Sequence, residues 1–278
     1  MLVTLKNILK LAQASETAVG AFNTPNLESI RAVLAAAEEK RQPVILMHAQ
    51  IHEEMGLCSM EEIGEIMLFM ADRASVPVCV HLDHGTDLHY LKRGLEIGFT
   101  SVMYDGSELP EQKNIANTCV AVEMARAYGA SVEAEIGSMG AREAGSEGGE
   151  SVYTDPDMAA NFVKLTGIDA LACAFGTAHG LYFKQPKLDF DRLQSIQQKV
   201  SVPLVMHGGS GVSEQDYRKV ISLGVRKINY YTYLAKAGGD AVANMERPAF
   251  YHDIAVKAMQ AMKQDVQRAI SLFCGSSY

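Results

Sequence analysis

Residues 76–87 read VPVCVHLDHGTD. The first part, Val76 to Val80, is a short apolar run, and it passes straight into His81, Leu82, Asp83, His84 and Gly85. A strand covered on both faces can be apolar along its length. Two imidazoles bracketing a carboxylate at its end add nothing to packing. They mark this strand as one that carries chemistry at its C-terminal end.

The pattern recurs along the chain. Short apolar runs stand at 18–23 (AVGAFN), 43–48 (PVILMH), 77–83 (PVCVHLD), 100–105 (TSVMYD), 131–137 (SVEAEIG), 170–176 (ALACAFG), 203–208 (PLVMHG) and 227–231 (KINYY). Most lack clean polar alternation, as parallel strands buried on both faces do. The segments between them have helical spacing. Leu27, Ile30, Val33, Leu34 and Ala37 share one face of 26–40. Ser59 and Glu62 form a capping box, Asp155-Pro156 is an N-cap followed by proline, and Ser213 opens a further helix. Gly98, Gly129, Gly167 and Gly224 stand where helices end, each shortly before a strand. Eight strand–helix units in 278 residues predict a (β/α)8 TIM barrel, a single domain over 1–278. The expected additions are an N-terminal helix carrying Leu2, Leu5, Ile8, Leu9 and Ala12, and a C-terminal helical extension. A doubly wound sheet is the alternative, but no G-x-G-x-x-G opens a helix after the first strand.

Composition narrows the partners. The formal net charge is −8 with no basic stripe, which argues against nucleic acid and anionic membranes. The five cysteines form no C-x-x-C pair, the N-terminal segment is amphipathic and unlike a signal peptide, and no apolar run reaches membrane-spanning length. The expected location is the cytoplasm.

Chemistry-bearing residues collect at strand ends: Asn23, Asp83-His84, Asp105, Glu133 and Glu135, His179 in GTAHG, His207 in HGGSG, and Asn229. The strand starts carry almost none, apart from Lys227. In a barrel this asymmetry puts the site at the C-terminal mouth. His84, His179 and His207 each adjoin a glycine at a strand terminus, and three neutral imidazoles converging there make a metal site with open positions. One Zn²⁺ per subunit is the expected ion, with a monovalent cation as a further one; Asp105 and Glu135 are assigned to a second metal or a structural role. His81 is read as orienting Asp83 or filling the barrel, and His48, His52, His89 and His252 as surface or packing residues. Gly208, Gly209, Ser210 and Gly211 let backbone amides approach an anion, as loops after the seventh and eighth barrel strands often do for phosphate. Residues 137–154, rich in Gly, Ser and Glu, predict a mobile functional loop.

Four ordered motifs, VCVHLDHG, VEAEIGSMGARE, AFGTAHGLY and HGGSG, resemble the class II metal-dependent ketose-bisphosphate aldolases, and the likeness runs from about residue 20 to about 235. The resemblance implies a TIM barrel, zinc, and a homodimer or homotetramer acting on a sugar phosphate. It implies His84, His179 and His207 as zinc ligands and Asp83 as the proton donor and acceptor at the hydroxyl that becomes the aldehyde. Glu143 would move the proton on the nucleophilic carbon. Gly180, Gly208, Ser210, Asn229 and Thr232 would bind the dihydroxyacetone phosphate half, and Asn23 and Gly209, read from the sequence itself, join them as substrate- or phosphate-binding candidates.

Two departures bear on substrate. Where the family often reads Asn-x-Asp-Thr or Asn-Val-Ala-Thr, this chain has Asn229-Tyr230-Tyr231-Thr232. Where fructose-bisphosphate members place an arginine, it has Ala235 and then Lys236. The expectation is therefore a ketose 1-phosphate whose aldehyde half lacks a phosphate, a longer sugar or sugar acid. The alternatives are fructose or tagatose 1,6-bisphosphate, a barrel metallohydrolase or isomerase with the same histidines, and a non-catalytic sugar-phosphate sensor. The sensor reading would not require both Asp83 and Glu143.

Overall fold

The computed structural model describes residues 1–137, 153–182, 184–246 and 250–275, and the backbone of 141–142. Eight parallel strands close a barrel: β1 (Val19–Asn23), β2 (Val44–Ala49), β3 (Val78–Gly85), β4 (Ser101–Tyr104), β5 (Ser131–Ile136), β7 (Ala170–Cys173), β9 (Leu204–Met206) and β10 (Val225–Tyr230). Each of the eight apolar runs supplies one of them. Two short strands fall outside this rhythm, β6 (Ala141–Arg142) and β8 (His179–Gly180). They pair in parallel apart from the barrel, Ala141 opposite His179 and Arg142 opposite Gly180.

The eleven helices described are α1 (Leu5–Ala14), α2 (Leu27–Lys40), α3 (Gln50–Glu54), α4 (Met60–Arg73), α5 (Leu88–Ile97), α6 (Glu111–Ala127), α7 (Pro156–Thr166), α8 (Phe190–Lys199), α9 (Glu214–Ser222), α10 (Thr232–Ala243) and α11 (Tyr251–Phe273). Their ends follow the local chemistry. The Ser59–Glu62 capping box opens α4, and Asp155 caps α7 with Pro156 in its first turn. Gly98 and Gly167 close α5 and α7 in the left-handed region. The cap of α5 is Asp87, which accepts from the His89 amide and leaves Asp83 free for the barrel. None of these helices is long and apolar enough to cross a membrane.

The apolar residues sort into two clusters by strand face. Phe22, Leu46, Val80, Val102, Ala134, Leu171 and Met206 point outward and pack under the helices. Val19, Ala21, Ile45, Met47, Cys79, Met103, Ala170, Ala172 and Val205 point inward, and Leu5, Ile8, Leu9 and Ala12 of α1 join them. The runs that look continuously apolar are thus two alternating sets. The polar residues follow the inward set towards the strand C-termini: His81 and Asp83 after Cys79, His207 after Val205, Glu133 and Glu135 on β5, Lys227 and Asn229 on β10. The amphipathic α1 forms the floor at the opposite end, its Lys6 ammonium 3.1 Å from Asp169. The long α11 packs against α2 and α10, with Met262, Val266, Ala269, Ile270 and Phe273 in the outer core.

Leu9 is fully buried in the floor and Leu11 on the same helix is 46% exposed. Leu9→Ala is expected to cost about 2–5 kcal/mol in urea unfolding, and Leu11→Ala under about 0.5 kcal/mol. Equal effects would show that α1 does not pack into the barrel.

Candidate active site at the barrel mouth

Successive residues of a strand face opposite ways, so Asp83 and His84 could not both face the mouth from a regular strand. The strand is irregular there. The pairing of β3 with β4 shifts between Leu82 and Gly85, and His84 adopts φ +49°, a left-handed conformation uncommon outside glycine. Such a residue costs of order 1–3 kcal/mol and persists where its surroundings hold it. Here a hydrogen bond of 2.7 Å between His84 Nδ1 and Asp105 Oδ2 does so.

The three expected histidines meet. Ring centroids lie 5.1 Å apart for His84–His179, 4.5 Å for His84–His207 and 6.0 Å for His179–His207. One nitrogen from each falls within 4.8 Å of the others, and His84 Nε2 is 2.8 Å from His207 Nδ1. Imidazoles on a tetrahedral ion at about 2.0–2.1 Å would hold their nitrogens about 3.3 Å apart, so small side-chain adjustments accommodate one.

The outward nitrogens fit the same purpose. His84 gives Nδ1–H to Asp105, whose other oxygen is held by the Ser107 hydroxyl at 2.7 Å and the Ser107 amide at 3.1 Å. His207 gives Nε2–H to Glu133 Oε1 at 2.8 Å. Each bond leaves a lone pair facing the centre, as metal-binding histidines require.

Electrostatics agree. Burial, with the nearby His84 and His207 charges, pushes the His179 imidazole down to about 3 and keeps it neutral. His207 moves down for the same first reason, with His84 adding to it. His84 goes the other way, up to about 10: burial opposes its charge, but Asp83 and then Asp105 outweigh burial. The close approach of His84 Nε2 and His207 Nδ1, 2.8 Å apart, falls where this cluster favours a cation. A second group, His84, Asp105 and Glu135, also has ligand atoms within 4.8 Å of one another. Glu135 is buried, its Oε2 making no hydrogen bond among the described residues and lying 3.9 Å from His207 Nδ1, and burial first, then Asp105, raises its carboxyl well above the usual range.

Asp83 is 3% exposed and held from two sides. Asn23 Nδ2 donates to Oδ2 at 3.1 Å and Asn229 Nδ2 to Oδ1 at 3.0 Å. The two asparagines expected at the substrate therefore position the carboxylate here. Asn229 keeps Oδ1 buried without a hydrogen-bond partner among the described residues, an acceptor suited to a hydroxyl. Burial would favour the protonated acid, but the cationic neighbours His84, Lys227 and His207 hold the Asp83 carboxyl far below the carboxylate range.

The glycine loop lies beside them. Gly208 has φ +61°, and a Cβ there would sit 2.4 Å from the Ala178 carbonyl oxygen. The close approach packs the His207 loop onto the His179 segment, and the Tyr182 hydroxyl, which donates to the Gly208 carbonyl at 2.9 Å, accepts from the Ala178 amide at 2.7 Å. The Gly209 amide donates to the Asn229 carbonyl at 3.0 Å, and Ser210 Oγ accepts from the Tyr231 amide at 3.1 Å. Helix α10 starts at Thr232 with no side-chain cap and no acidic residue in its first turn, and Gly211 of the glycine loop lies against the Tyr233 ring in that turn. Gly180, at φ +98°, follows His179 in β8.

Glu143 and most of the 137–154 loop lie outside the described residues. Residue types alone do not reveal that Glu133 and Lys227 join the histidine network: Lys227 Nζ is 2.8 Å from Glu133 Oε2 and 3.1 Å from Oε1, with both side chains fully buried. The signal available was the spacing of two between Glu133 and Glu135, which puts both on the inward face. His81 fills the interior, its Nδ1 2.8 Å from the Ser101 hydroxyl. His48 and His52 are buried, and His52 packs against Tyr231 with ring centroids 4.8 Å apart.

The profile of the family described as fructose-bisphosphate aldolase class-II matches residues 3–277. The D-tagatose-1,6-bisphosphate aldolase subunit GatY of Klebsiella oxytoca is 39% identical over 99% of this chain and 98% of its own length. The crystal structure of the YdjI aldolase from Escherichia coli K12 superimposes with a TM-score of 0.88 at 36% identity, covering 98% of this chain and 97% of that one. The fructose-bisphosphate aldolase of Campylobacter jejuni, at 23% identity, TM-score 0.76 and coverage of 98% and 95%, shares the fold. With a match that spans nearly every residue and three imidazoles gathered at the barrel mouth, the chain belongs to the class II fructose-bisphosphate aldolase family of metal-dependent aldehyde-lyases.

Proposed function

We infer that this chain cleaves a ketose 1,6-bisphosphate reversibly to dihydroxyacetone phosphate and an aldehyde phosphate, using one Zn²⁺ held by His84, His179 and His207. The observation that carries the reading is the meeting of these three rings beside a buried, ionised Asp83. A divalent ion at the triad supplies Lewis-acid stabilisation of the negative charge that develops on the ketose carbonyl oxygen.

The remaining work falls to the chain's own side chains. Asp83 takes the proton of the C4 hydroxyl as the C3–C4 bond breaks and the bonding pair stays on C3. In the reverse direction it returns that proton. Asn23 and Asn229 hold both carboxylate oxygens, so the base does not rotate away between turnovers. Glu143, from the GSMGARE motif, protonates C3 of the dihydroxyacetone phosphate half. The amides of the Gly208–Gly211 loop and of the first turn of α10, with the Ser210 and Thr232 hydroxyls and Gly180, bind its phosphate.

The bisphosphate is favoured over the ketose 1-phosphate expected from residues 229–236, because the relative at 39% identity is named a tagatose-1,6-bisphosphate aldolase subunit. One observation stands on the other side. Ala235 takes the place of the arginine, and Lys236 is engaged with Asp240 on the exposed face of α10 at 2.8 Å.

Three outcomes are expected. Stripping the protein with a chelator abolishes release of dihydroxyacetone phosphate in a coupled assay, and one equivalent of Zn²⁺ restores it; a stripped protein that turns over at the original rate refutes the mechanism. Asp83→Asn lowers kcat by about 10²–10⁴-fold while zinc binding survives. Fructose or tagatose 1,6-bisphosphate exceeds the matching ketose 1-phosphate in kcat/KM by roughly 10–100-fold, the effect of one or two charge-assisted hydrogen bonds. Equal values return the substrate to the ketose 1-phosphate class.

A further inference from the structure

Inside the barrel, below the histidine triad, sits an ion pair that takes no direct part in the proton transfers above. Lys227 and Glu133 are both fully buried, with Lys227 Nζ 2.8 Å from one carboxylate oxygen and 3.1 Å from the other. They reach each other across the interior from β10 and β5, strands separated in the barrel by β9 and β7. Stability does not explain such a pair: a buried salt bridge is commonly no better than well-packed apolar residues of the same volume. Its geometry does. Glu133 Oε1 is also 2.8 Å from His207 Nε2, and Lys227 pairs in register with Val205, two residues before His207 on β9.

We propose that Lys227 and Glu133 are positioning residues that lock the ring of His207 with Nε2–H directed into the barrel and the Nδ1 lone pair directed at the metal. This rests on the metal-centre reading given above. His207 is asymmetric with respect to its neighbour, since its Nδ1 and the Nε2 of His84 face each other at 2.8 Å. A ring flipped by half a turn would present the wrong nitrogen at the wrong distance. A carboxylate accepts hydrogen bonds and donates none, so it admits one tautomer of the ring it holds; an amide in its place could turn and offer a donor. The lysine, bound to both oxygens, keeps that carboxylate charged and in one orientation. Asp105 holds the other facing ring, His84, through Nδ1. The two supporting carboxylates thus choose opposite nitrogens on the two rings, and the pocket accepts both.

The test replaces the pair together, so that neither charge is left buried alone. The double variant Glu133→Gln/Lys227→Met is titrated with Zn²⁺ against a chromophoric chelator. The expected result is a zinc dissociation constant raised by about 10–100-fold and an altered cobalt absorption band. A shift in melting temperature with unchanged zinc affinity would make the pair purely structural and overturn the proposal. His207→Ala in the same titration separates the two levels. If it binds zinc as tightly as the unmodified chain, the metal-centre reading fails; if it weakens binding and the double variant does not, only the positioning role fails. Should the double variant not fold, ¹⁵N-histidine NMR of the unmodified protein loaded with ¹¹³Cd²⁺ decides. Cadmium coupling to Nδ1 of His207 with a retained Nε2 proton is expected, and coupling to Nε2 overturns the proposal.

Discussion

A strand in a closed barrel has two choices for each side chain, in or out, and the whole site depends on that alternation. On β5 and β10, and just past the end of β9, it delivers Glu133 and Glu135, Lys227 and Asn229, and His207 to the interior while their neighbours Ala134, Ile228 and Met206 pack under the helices. At the end of β3 the rule is broken once. The pairing shift between Leu82 and Gly85 and the left-handed His84 bring two adjacent residues to the same mouth. A carboxylate and an imidazole can then stand side by side without a second strand to carry one of them.

The interior is unusually charged for a closed barrel. Asp83, Glu133 and Glu135 are buried, Asp105 is mostly so, and among the described residues one buried lysine faces them. Carboxylates withdrawn from water need compensation. Lys227 supplies it for Glu133, the paired asparagines and cationic neighbours for Asp83, and the His84 ring for Asp105. Glu135 has only the His207 ring, at 3.9 Å, facing its Oε2 among the described residues, and shifts towards its neutral form. The balance of negative groups around three imidazoles is that of a centre arranged for an added cation.

Much of this was legible before any coordinates. The eight apolar runs, the capping residues Ser59 and Asp155, and the glycines after the helices are local signals, and the observed elements follow them closely. The triad was legible because each histidine sits beside a glycine at a strand end. Less legible were the features set by tertiary geometry. The left-handed turn at His84 leaves no mark in residue type, since histidine carries no rule for it. The hold of Asn23 and Asn229 on Asp83 needs three strands brought together. Lys227, judged by its position near a strand start, looked remote from the mouth, yet its long side chain reaches Glu133 beneath the triad. The paired strands Ala141–Arg142 and His179–Gly180 were invisible for the same reason, being too short to have a pattern of their own.

The docking of α1 turns the barrel from a tube into a cup. With Leu5, Ile8, Leu9 and Ala12 filling the lower end, everything that visits the centre shares a single doorway. On the function proposed above, sugar phosphate, metal ion and both products would exchange through the same rim, and traffic there would be sequential. The rim loops thereby govern turnover as much as affinity, and drift in their sequence can retune the catalyst while the sealed base stays as it is.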